Sequence, residues 1–211
     1  MSAQRTSTSQ KSSRKPEEPR VEKSGFEPTS IKGTRRLVRE KIMQIFSAAD
    51  ISSTTPKELF PYIFPYDFRG TDPKHPNRYL TEAEIEQLDA DPLIDWAGEE
   101  KDFALQLIDQ ITIHMAYCDE LIAKYSQNWD ISRIAQIDRI VLRIAIVELI
   151  AFPEIPPKVT VNEALEIVKR FSTERSNLFV NGILDAVLLD LKANNALHKT
   201  GRGLIDESLN T

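Results

Sequence analysis

The chain has 211 residues, 41% of them hydrophobic and 28% charged, the balance of a water-soluble protein able to bury a real core in one domain or a compact pair of subdomains. No apolar run reaches the roughly 20 residues of a membrane span, no apolar leader core follows Met1, and a lone cysteine, Cys118, excludes an internal disulfide framework, which together point to a reducing, cytoplasmic setting. The net charge of −5 argues at first against nucleic acid, but residues 1–39 hold ten Lys or Arg against four Glu, so a basic arm or face sits on an acidic body.

Residues 1–30 are rich in Ser, Thr, Lys, Arg, Glu and Pro, bury too little apolar surface to offset ordering entropy, and are predicted to be a disordered basic tail. A helical domain is predicted over 31–194, followed by a frayed C-terminal tail over 195–211. The first helix starts near Thr34 and gathers Leu37, Val38, Ile42, Ile45, Phe46 and Ala49 on one side, with Arg36, Arg39, Glu40 and Gln44 opposite, as an amphipathic helix with a basic outer edge. From Pro56 to Leu80 proline and aromatics dominate, which predicts a long ordered loop or a set of short turns.

Residues 56–102 carry twelve acids against five bases and form the acidic body. Phe103, Leu107, Ile111, Met115, Cys118, Leu121 and Ile122 recur at helical steps and predict a helix from about Glu99 to Tyr125. Asp130 or Ser132 then offers an N-cap for a helix through "IDRIVLRIAIVELI", which prolines 153, 156 and 157 end. Thr160 and Glu163 have the spacing of a capping box for the next helix, and Ser176 offers a cap for the last, whose Phe179, Val180, Ile183, Leu184, Val187 and Leu191 point inward. No trustworthy period-two strand pattern or internal repeat is present, so the chain reads as an all-α bundle.

Catalytic constellations are lacking. His75, His114 and His198 have no second ligand at zinc-site spacing, Cys118 continues an apolar stripe, Glu84 and Glu86 suit a solvated face, and "GRGLID" follows no strand, so neither metal nor cofactor is expected. The arginines are the better lead. Arg139 and Arg143 lie within about 40° of each other on a helix otherwise filled with aliphatics. Arg143 equally suits a core-edge ion pair with a carboxylate such as Glu148. Ion pairing alone leaves Arg35, Arg36 and Arg39 unexplained, and two basic edges side by side would make a groove for a phosphate backbone.

The segments "RRLVREKIMQIF", "WDISRIAQIDRIVLRIAIVELI" and "IPPKVTVNEALEIVKRFSTERSNLFVNGILDAV" resemble the NusB family of bacterial transcription antitermination factors, the second and third near-continuously from Trp129 to about Leu191. The resemblance implies an all-α fold of two small helical subdomains and no enzyme activity. It implies binding of single-stranded boxA RNA from ribosomal RNA leaders, jointly with the ribosomal small-subunit protein NusE, within an antitermination complex on RNA polymerase. Carried over by position, the RNA-facing residues are Lys32, Arg35, Arg36 and Arg39 on the arginine-rich start, Asp138, Arg139 and Arg143 on the central helix, and Phe179 before "VNG". Plain core packing is an equal reading of Phe179. Phe46-Ser47 replaces a leucine-tyrosine pair common in the family, the insertion after Pro56 is longer than usual, and Arg175 stands where some members carry an acid.

Two other readings compete. A NusB-like module preceding a ribosomal RNA cytosine methyltransferase fits poorly, because the chain stops about 20 residues after the last helix with no cofactor domain. A protein-interaction module without RNA contact, such as a homodimer in the free state, is motivated by net acidity and by "LFPYIFPYDF" as a docking patch.

Overall fold

A computed structural model describes residues 31–66, 71–72, 75–79, 93–126 and 134–204. The elements in chain order are β1 (Ile31–Lys32), α1 (Arg35–Ser52), α2 (Pro56–Ile63), β2 (Thr71–Asp72), β3 (His75–Tyr79), β4 (Ile94–Asp95), α3 (Gly98–Tyr125), α4 (Gln136–Ala151), α5 (Pro157–Phe171), α6 (Glu174–Ala193) and a 3-10 turn at Gly201–Leu204. The N-terminal tail 1–30, the cap candidates Asp130 and Ser132, and Glu84 and Glu86 lie outside the described residues.

The hydrophobic pattern explains why α4 is the centre. Every residue from Ile140 to Leu149 is buried, and α1, α3, α5 and α6 all pack on it. A helix apolar on all sides is stable only when surrounded. α1 begins as its sequence predicts, with the Thr34 hydroxyl accepting from the Leu37 amide at 3.2 Å. Its polar side is only partly a solvent edge: Arg36 stays half-exposed, but Arg39, Glu40 and Lys41 are buried along with Leu37, Val38 and Ile42.

The segment expected as a loop after Pro56 opens with a helix. Proline sits at its first turn, and Thr55 and Glu58 exchange capping hydrogen bonds, Glu58 Oε2 accepting from the Thr55 amide at 2.9 Å. Two of its aromatics, Phe60 and Phe64, turn inward, whereas Tyr62 and Tyr66 remain at the surface. Phe64 stacks between Phe60 and Trp96 at 4.4 and 4.2 Å, and the Trp96 indole donates to the Phe64 carbonyl at 2.9 Å. Tyr62 alone of this α2 set stays strongly exposed. Trp96 leaves no room for a side chain at Gly33, which lets β1 lie parallel to β4.

The expected caps of α5 and α6 are corrected. α5 begins at Pro157, so Thr160 is already inside the helix, where its hydroxyl donates to Glu148 Oε2 at 3.1 Å instead of capping. Thr173, not Ser176, caps α6, its hydroxyl accepting from the Ser176 amide at 3.3 Å.

The described part of the C-terminal tail is not frayed. Lys199 is buried and donates to the Glu148 and Phe152 carbonyls at 3.0 Å each, adding a charged donor at the negative end of the α4 dipole. The Thr200 amide donates to the Pro153 carbonyl at 2.9 Å, and Gly203 packs against the same carbonyl with no space for a β-carbon. Burial pulls the Lys199 ammonium down to about 8. The unfolded chain therefore holds this proton more tightly than the folded one, and stability gains from this group as pH rises from about 8 toward the unfolded lysine value. Lys199→Met is expected to flatten that rise; urea titrations of both proteins at two alkaline pH values compare the slopes directly.

Candidate nucleic-acid interface

The residues singled out from the sequence fall into three groups. Arg39 sits in a core ion pair and Arg143 in one at the edge of the core. Arg39 donates from Nε and Nη2 to Glu148 at 2.5 and 2.9 Å, and both side chains are almost wholly covered. Arg143 donates from Nε and Nη2 to Asp119, both at 2.8 Å, with its own side chain 9% exposed. Neither is a solvent-facing phosphate contact, which corrects that expectation: Arg39 of α1 is turned onto Glu148 of α4, and Arg143 of α4 onto Asp119 of α3. The partner of Glu148 is Arg39, and Arg143 pairs instead across to α3.

Lys32, Arg35, Arg36 and Arg139 reach the surface to differing degrees. Lys32 is exposed on β1. Arg35 sits 3.9 Å from Glu154 and 4.5 Å from the centroid of the Phe103 ring. Arg139 is partly covered and lies 3.4 Å from Asp50. Arg36, half-exposed, donates from Nε and Nη2 to Glu163 at 2.9 and 2.8 Å. That hydrogen bond holds the Glu163 carboxyl below its ordinary range. The pair's contribution is thus present at neutral pH and is lost as acidification passes through the carboxylate range.

The two basic edges do not merge into one ridge. α1 runs antiparallel to α4, with Arg39 beside Glu148 and Asp50 beside Arg139. Arg36 is therefore roughly 20 Å along α1 from the start of α4, at 1.5 Å per residue.

Asp138 and Phe179, by contrast, are brought together. They line an open cleft of about 250 Å³ with Ile134, Ala135, Thr173 and Arg175. The cleft lies where the N-termini of α4 and α6 converge, so both helix dipoles present their positive ends to it. Asp138 is 4% exposed, and its Oδ1 is buried with no hydrogen-bond partner among the described residues. Such an acceptor is costly unless something supplies a donor. Phe179 is half-buried, and Arg175 is exposed.

A second hollow, of about 450 Å³, lies between α1, α5 and α6 and is lined by Arg36, Asn162, Leu165, Glu166, Lys169 and Asn177. Beside it Arg170 donates to Glu40 at 3.2 Å. Lys169, Arg170 and Arg175 were not legible as site residues. The first two look in sequence like ordinary charges closing a helix, and the third like a departure from a family pattern.

A model of the NusB family matches residues 53–189. The chain is 52% identical over 118 residues to the transcription antitermination protein NusB of Salinibacter ruber, across 56% of this chain and 70% of that one. It is 47% identical over 106 residues to the protein of the same name from Chloroherpeton thalassium, across 50% of each. Among solved structures it is similar to T. maritima NusB, with a TM-score of 0.57 and 28% identity, covering 76% of this chain and 94% of that chain. It shares its fold, at TM-score 0.54 and 21% identity over 74% of this chain and 96% of the other, with a chain from a complex of the antitermination factors NusB and NusE with double-stranded RNA.

Proposed function

The chain belongs to the NusB family of transcription antitermination proteins, and from that premise we propose that it works without catalysis, by holding single-stranded boxA-type leader RNA of ribosomal RNA operons together with NusE. The observation that carries the reading is the cleft at Asp138 and Phe179. A base splayed from a single strand stacks on an aromatic ring, and its amino or imino hydrogens meet the Asp138 carboxylate in the cleft wall. Arg175 and the two helix N-termini then face the adjoining phosphate. A paired duplex keeps its bases stacked inward and cannot fill the cleft this way, which favours an unpaired strand. The likeness to a chain from a complex of NusB and NusE with double-stranded RNA supports NusE and RNA as the classes of partner.

Fluorescence anisotropy with a boxA-like strand and a scrambled one, each with and without NusE, tests the reading. The boxA-like strand is expected to bind more tightly, and more tightly still with NusE. Equal, weak affinities in all four mixtures would count against it, and a stable dimer by light scattering, indifferent to RNA, would favour the protein-interaction reading instead. Arg175→Ala is expected to lower affinity and to make the dependence of log K on log salt shallower by about 0.7 for one lost contact to a single strand.

A further inference from the structure

We infer that a strand seated in the cleft continues over the first turns of α6 into the hollow on its other side, where Arg36, Lys169, Asn162 and Asn177 hold its sugar-phosphate backbone; this extension rests on the RNA reading above. Helical geometry sets the path. Arg175 and Phe179, four residues apart, share the side of α6 that faces the cleft, whereas Asn177 falls on the opposite side and lines the hollow. Between them Leu178 stands on the crest, 82% exposed. An uncovered leucine between two hollows that each contain a cation gives a base an apolar step to rest on while its backbone crosses.

The hollow suits a ribose-phosphate chain. Lys169 is exposed and makes no ion pair among the described residues, so its charge meets a phosphate without giving up a partner. Arg36 spends Nε and Nη2 on Glu163, which leaves the Nη1 hydrogens for a second acceptor. The amides of Asn162 and Asn177 donate to phosphate and accept from a 2′-hydroxyl, a group that DNA lacks. Glu166 on the same wall repels phosphate and confines it to the Lys169 side.

The test uses the full chain and a nested set of boxA-like strands, the shortest filling the cleft alone and the longer ones extended at either end. Extension at one end is expected to raise affinity about three- to tenfold and to steepen the salt dependence. Lys169→Ala and Leu178→Asp, both at exposed positions and checked by circular dichroism, are expected to remove that increment while leaving the shortest strand unaffected. Replacing ribose by deoxyribose in the extension alone is expected to reduce it. The path is overturned, with the cleft reading intact, if extension adds nothing at either end, or if Lys169→Ala weakens short and long strands alike. It is overturned also if Lys169→Ala weakens capture of NusE without RNA and leaves every RNA affinity unchanged. Absence of binding by any strand overturns both readings.

Discussion

Arg39→Ala is expected to destabilise the fold by about 3–5 kcal/mol, because it leaves a buried carboxylate without its charge partner. Glu148 is fully buried at the centre of the bundle and loses two charge-assisted hydrogen bonds, keeping only the Thr160 hydroxyl at 3.1 Å. The nearby Lys199 ammonium is committed to backbone carbonyls rather than to this carboxylate. The arginine also ties α1 to itself through the Arg35 carbonyl at 3.2 Å and lies 5.4 Å from the Phe103 ring centroid, so truncation costs packing too. The loss should appear as a lower urea midpoint, with RNA affinity per folded molecule unchanged. The double variant Arg39→Met with Glu148→Leu should recover much of the stability, since an apolar pair of similar volume carries no desolvation penalty. A change below about 1 kcal/mol for Arg39→Ala would place the guanidinium in water instead.

Phe179→Ala is expected to weaken binding of a boxA-like strand by about 1–3 kcal/mol, the range for one base-stacking ring, or roughly five- to 150-fold. Phe179→Trp should bind close to the parent level, because a flat ring of another size still stacks. The side chain is only half-buried and sits in the second turn of α6, beside fully buried Val180 and Ile183, so the fold should lose less than the binding does. Anisotropy titrations paired with urea curves separate the two effects. A fall in stability without a fall in affinity would make Phe179 a packing residue.

Much of the fold is legible because the hydrophobic periods are strong. The boundaries of α3, the cap at Thr34 and the stop at the prolines after α4 follow from local rules. What the sequence hid is tertiary. Thr160 and Glu163 have the spacing of a capping box, but Pro156 and Pro157 start the helix earlier and release both side chains for Glu148 and Arg36. Lys199 reads as part of a frayed end until the carbonyls at the C-terminal end of α4 are seen to receive it. The candidate site was half visible. A helical wheel places Arg39 opposite the apolar side of α1 but is blind to a second layer covering that edge, and it has no means of pairing Arg143 with Asp119, 24 residues away. Asp138 and Phe179 were found by resemblance, and only the convergence of two helix ends puts them in one cleft with Arg175.

The most direct test is a titration of isotope-labelled protein with a boxA-like single strand, followed by amide shifts in solution. The largest early changes are expected on residues 134–138 and 173–179, with Lys169 and Asn162 joining as the strand is lengthened. Shifts centred on α3 or around the Arg143–Asp119 pair, with the cleft unmoved, would contradict that expectation.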